Sequence, residues 1–108
     1  MARRCSHHRR LVEAARQLLH SGRLETVAKR FGVPVPNVVV REQRRRWGSC
    51  DAHGTLRINW RTIQAPARLI DYVLGHELVH LRIQTHGPAF WRELGRAMPD
   101  YEDRRARL

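Results

Sequence analysis

The chain lacks the features that would place it in a membrane, a disulfide framework or a repeat architecture. No apolar run approaches the ~20 residues of a membrane span, and the basic start (Arg3, Arg4, Arg9, Arg10) lacks the ~7–15-residue apolar stretch of a secretory signal. Cysteine occurs only at Cys5 and Cys50, without C-x-x-C spacing, which excludes a paired-cysteine structural metal site or a dithiol redox motif. No internal repeat or low-complexity segment is visible. These absences predict a soluble, cytoplasmic protein with reduced thiols. With 108 residues there is room for one small domain around a single core.

Acidic residues are also scarce. Ten of them face 21 basic ones, for a net charge of +11, and every basic residue except Lys29 is arginine. Guanidinium forks suit phosphate, so nonspecific nucleic-acid binding through an Arg-rich surface is a possible partner interaction. The basic residues run from Arg3 to Arg107, however, and a spread charge is weaker evidence than a clustered face.

Apolar residues from Leu11 to Phe31 recur at three-to-four spacing with a soft spot at Ser21-Gly22, which reads as one broken helix or two short ones. Gly32, Pro34 and Pro36 end that region, and the β-branched run Val38-Val39-Val40 predicts a strand over about 37–43. The stretch from Trp47 to Gly54 is rich in turn formers. It leads into a strand over 55–60 whose Leu56, Ile58 and Trp60 share one face, giving a short antiparallel sheet of two or three strands. A helix then opens at Ala65-Pro66 and runs to about Arg82, and a second opens at Gly87-Pro88 and stops at Pro99. The division expected is a basic helical region over 1–36 and an α+β core over 37–108.

The chemistry sits in His76-Glu77-Leu78-Val79-His80. In a chain with seven His and six Glu, H-E-x-x-H arises by chance about 0.02 times. On a helix His76 and His80 are one turn and about 40° apart, so both imidazoles reach one ion. Glu77 lies about 100° from His76 and about 60° from His80, too offset to ligate but placed to act on an ion-bound water as general base. Zinc suits neutral imidazoles, and a catalytic site uses three protein ligands with an open fourth position. His86 is the best third ligand. A continuing helix would turn it about 240° from His80 and lift it ~9 Å, so a bend between Leu81 and Thr85 must return it. The metzincin pattern has the same interval but places Gly where this chain has Ile83. If His86 does not serve, Glu93, Asp100, Glu102 or Asp103 is the alternative.

Arg46-Trp47-Gly48-Ser49-Cys50, Ile58-Asn59-Trp60-Arg61, Ala65-Pro66, Ile70-Asp71-Tyr72-Val73, the H-E-L-V-H segment, His86, Phe90-Trp91 and Pro99-Asp100-Tyr101 together resemble the YgjP-like metallopeptidases, relatives of the SprT and WLM groups. The resemblance runs from about Arg41 to Leu108. It implies a zincin-like α+β fold, a zinc-dependent peptidase acting on proteins or peptides, ligands at His76, His80 and His86, and a catalytic Glu77. Gly87 stands where Ser or a similar N-cap is usual, and a basic helical stretch replaces the longer N-terminal β-region of many members.

Two other functions compete. Thr26 to Val33 resembles the first helix and turn of a helix-turn-helix, followed by Arg41, Arg44, Arg45 and Arg46, although Pro34, Pro36 and the triple Val argue against a second helix. A basic nucleic-acid module, or a protease acting on DNA-bound proteins as the SprT relation implies, is the alternative. A structural metal domain would close the fourth position with a protein ligand. Trp47, Trp60 and Trp91 read as packing residues, with the lining of a substrate groove as the alternative, Cys50 reads as part of a turn rather than as a zinc ligand, and His7, His8, His20 and His53 read as surface residues.

Overall fold

The structure is a computed structural model that describes residues 2–43 and 45–108, with the backbone alone for 2–8. Cys5, His7 and His8 therefore have no described side chains, and Arg44 lies outside the described residues.

Two helices open the chain, α1 (Ala2–Ser21) and α2 (Arg23–Phe31). They are separated where the soft spot was expected: Gly22 has φ 67°, a left-handed conformation that costs glycine little and most residues about 1–2 kcal/mol. The Ser21 hydroxyl donates to Leu18 O at 2.8 Å, closing the last turn of α1. Ala14 and Leu18 of α1 and Leu24, Val27, Ala28 and Phe31 of α2 enter the core. After α2 the chain becomes strand β1 (Val38–Arg41), so the second helix of a helix-turn-helix does not form. Proline removes the N–H and the φ freedom that a helix needs there.

The sheet differs from the expected antiparallel one. Strands β1, β2 (Gly48–Cys50) and β3 (Leu56–Asn59) lie in the order β1-β3-β2. Strand β2 pairs antiparallel with β3, whereas β1 pairs parallel with it. Strand β2 lies on the far side of the sheet from β1, and β3 returns between its two predecessors. Strand β2 was hidden in a turn-rich stretch because three residues carry little periodicity. The turn after it is held by Asp51, whose Oδ1 accepts from the backbone N–H groups of His53 (2.8 Å) and Thr55 (3.0 Å).

Leu56 and Ile58 are fully buried, as their alternation predicted. Helix α3 (Trp60–Ile63) follows at once, capped by Asn59, whose Oδ1 accepts from Arg61 N at 3.1 Å. Helix α4 (Ala67–His80) lies against the sheet and α2, with Tyr72, Val73, Leu74, Leu78 and Val79 buried. Gly48 permits the close approach of β2: a Cβ there would sit 3.1 Å from Ile58 Cδ1 and 3.2 Å from Val73 Cγ1. Helix α5 (Pro88–Ala97) buries Phe90 and Leu94 completely, and α6 (Tyr101–Ala106) completes the chain. No helix among the described residues is long and apolar enough to cross a membrane.

Candidate metal centre

Helix α4 carries His76, Glu77 and His80 on its last turn and a half. Beyond Leu81 the chain turns without any left-handed non-glycine residue among the described ones, so the bend needs no glycine at Ile83. His80 stabilises that bend, its Nδ1 lying 3.1 Å from Ile83 O. The turn brings His86 back over the helix end. Its Nε2 lies 2.9 Å from His80 Nε2 and 3.2 Å from His76 Nε2.

This cluster fits a cation on the chemistry of its donors. Ile83 O can only accept, so His80 Nδ1 carries the proton and its Nε2 presents a lone pair inward. His76 Nδ1 lies 3.2 Å from Glu77 Oε2, and in the neutral ring a carboxylate acceptor there places the proton on Nδ1 and turns the Nε2 lone pair toward the cluster. A proton on His86 could satisfy one of these lone pairs. Lost hydration, followed by the neighbouring His80 and His76, pushes the His86 pKa below the usual imidazole range and favours its neutral form. Nitrogens at ~2.0–2.1 Å from a tetrahedral zinc are about 3.3 Å apart, close to the observed separations. Among the described residues no fourth His, Cys, Asp or Glu joins the three histidines.

Phe90 forms the floor, with ring centroids 5.0, 4.5 and 4.8 Å from those of His76, His80 and His86. Trp91 holds His86 from the side: its Nε1–H donates to His86 O at 3.1 Å and its ring stacks on the imidazole with centroids 5.8 Å apart. The sequence pointed to Trp91 as a packing or groove residue, not as a support for His86. Its position one residue after Phe90 and five after His86 is the signal that a returning loop could have supplied.

The alternative acidic ligands are engaged elsewhere. Asp100 and Asp103 pair with Arg68 at 3.0 and 3.1 Å, Glu93 pairs with Arg96 at 2.6 Å, and Glu102 accepts from the Tyr101 hydroxyl at 3.3 Å. His20 and His53 are exposed, away from the cluster. Of the other tryptophans, Trp60 is buried as a packing residue, but Trp47 is 43% exposed and lines a depression beside the cleft, which fits the groove alternative.

Glu77 is buried at 6% exposure. With the histidines it faces an open cleft of about 460 Å³ whose opposite wall is β2, including Ser49 and Cys50. Burial, then Glu77 and Asp51, raise the Cys50 pKa, which keeps a protonated thiol in that wall. Two residues that carried no role of their own in the sequence, Asn59 and Thr62, hold the loop before β2. The Asn59 amide donates to Gln43 O and to Arg46 O (3.0 Å), and the Thr62 hydroxyl donates to Trp47 O at 2.7 Å. Both are buried, and an Asn between Ile58 and Trp60 was the available clue.

Two histidines and a carboxylate on a helix, joined by a third histidine from the returning loop and facing a short sheet across an open cleft, define a small zincin-like metallopeptidase. The crystal structure of the metallopeptidase zymogen of Pyrococcus abyssi abylysin matches with a TM-score of 0.72 at 25% identity, covering 81% of this chain and 89% of that one. The metallopeptidase zymogen of Methanocaldococcus jannaschii jannalysin matches in fold, with a TM-score of 0.68 at 19% identity, over 81% and 90% of the two chains. No curated protein matches by sequence. The model of the YgjP-like metallopeptidase domain matches residues 3–108, and the chain belongs to that family. The match takes in α1 and α2, beyond the segment whose motifs carry the resemblance.

Proposed function

We propose that this metallopeptidase is a zinc-dependent endopeptidase that holds its metal through His76, His80 and His86 and uses Glu77 as general base. The observation that supports the reading is the convergence of three ring nitrogens beside a buried carboxylate in an open cleft. Zinc bound there supplies a Lewis acid that polarises a peptide carbonyl and acidifies the attacking water. The chain's own groups do the rest. Ile83 O and Glu77 orient the two helical imidazoles, Phe90 excludes water beneath them, and Trp91 steadies His86. The Glu77 carboxylate takes a proton from the attacking water and returns it to the leaving amine.

An extended substrate pairs only with a free strand edge, and β3 is the central strand with both its edges used. Strand β2 is an edge of the sheet and lines the cleft, so it is the strand that a substrate backbone pairs with. In this reading residues 37–108 form the catalytic core, residues 1–36 brace it as part of one domain, and the protein works in the cytoplasm. Purified wild type is expected to hold about one zinc per chain and to cleave an unstructured protein. Glu77→Gln should retain the metal and lose about 10²–10⁴-fold in rate; undiminished cleavage by Glu77→Gln would sink the mechanism.

A further inference from the structure

Three depressions meet at Arg46. The first is the cleft already described. The second, about 230 Å³, lies between β2, α4 and the C-terminal segment, with Trp47, Tyr72, Val73 and Arg105 in its walls. The third, about 360 Å³, lies in part over the cross-strand pair Ser49 and Arg57, and also includes Arg45. A basic path therefore runs from Arg57 and Arg45 over the sheet edge at Arg46 to Arg105 beyond the cleft.

The acidic groups nearest the path, Asp51 in the cleft with Arg46 and Glu102 in a depression shared with Arg105, make no ion pair with either arginine among the described residues. Arg45, Arg46 and Arg105 form no ion pair among the described residues, and Arg105 lies 4.8 Å over the Trp91 ring. Arg57 reaches Asp51 at 3.6 Å, but Asp51 already accepts two backbone N–H groups. Glu77, the carboxylate shared by the first two depressions, is engaged with His76. Like charges gathered without partners repel one another, and an anionic ligand relieves that repulsion.

We propose, resting on the peptidase reading, that the substrate is an acidic polypeptide segment and that Arg46 determines this specificity. Successive side chains of an extended strand point to opposite faces. A peptide beside β2 thus sends one set of side chains toward Arg45 and Arg57 and the other toward the cavity with Arg105, while Arg46 stands between them. The apolar walls at Tyr72 and Val73 accept the methylene stem of a glutamate, and Arg46 and Arg105 reject basic side chains. A nucleic acid carries its charge on the backbone and cannot pair with a strand edge, so these features favour a polypeptide.

The test uses the Glu77→Gln chain and three labelled probes: an unstructured peptide rich in Glu, the same peptide with Gln at those positions, and a single-stranded DNA oligonucleotide. At low salt the Glu peptide should bind about tenfold more tightly than the Gln peptide. Arg46→Ala and Arg105→Ala should each weaken it about two- to fivefold and leave the Gln peptide unchanged. Arg30→Ala removes the same charge from α2 and should change neither. Equal affinity for the two peptides overturns the proposal, as does an equal loss from Arg30→Ala, which would reduce the effect to net charge. DNA binding that depends more on Arg46 than the Glu peptide does would assign the path to nucleic acid instead. Cleavage by wild type separates the two readings. Cutting without preference for Glu removes this specificity alone, whereas intact discrimination without any cutting removes the peptidase reading.

Discussion

Replacing His86 by alanine separates a metal ligand from a packing residue. The side chain is exposed, and the Trp91 indole donates to the His86 backbone carbonyl, which the substitution retains. The metal-free protein should therefore unfold within a few degrees of wild type. Metal-linked stability should behave differently. At a free zinc concentration 100-fold above Kd, binding stabilises the wild type by about 2.7 kcal/mol. Losing one of three ligands should weaken affinity by at least about 100-fold, leaving about 0.4 kcal/mol at the same concentration. For a domain of this size the Tm shift on adding zinc should then fall from about 10–20 °C to about 2–3 °C. Thermal unfolding with and without zinc, beside metal analysis of both proteins, measures it. An equal shift and equal zinc content in His86→Ala would refute the ligand assignment and return attention to a carboxylate.

Trp91→Phe keeps the ring stack but loses the bond to His86 O, and should lower zinc affinity about tenfold in a competition titration without abolishing it. Gly75→Ala places a Cβ 3.0 Å from two Phe31 ring atoms and 3.4 Å from Met98 Cε, in the seam between α2 and α4. It should cost about 1–3 kcal/mol in urea unfolding despite better helix propensity. For acid stability, backbone bonds from Thr55 hold the Asp51 carboxyl below its ordinary value, and Arg104 and then Arg68 do the same for Asp100. A folded pKa below the unfolded one contributes stability above about pH 3.8 that disappears as pH falls through the folded value. The Tm should therefore drop as the solution is acidified below that point, and Asp51→Asn should shrink the drop.

The sequence by itself determined the helix that carries the chemistry. The relation between His76, Glu77 and His80 follows from 3.6 residues per turn, a local property that needs no partner, and the break at Gly22 and the inward faces of Leu56 and Ile58 are local in the same way. Tertiary structure decided the rest, because it depends on residues far apart in the chain. The parallel pairing of β1 with β3 depends on which edge the returning strand finds. The edge position of β2 depends on Asn59 and Thr62 holding the loop before it. The seat of His86 depends on Phe90 beneath it, Trp91 beside it and a bend that ordinary backbone angles allow, so the absence of glycine at Ile83 was no obstacle. Periodicity could locate two imidazoles and a carboxylate on one helix, but only packing could bring a third imidazole and a strand edge to them.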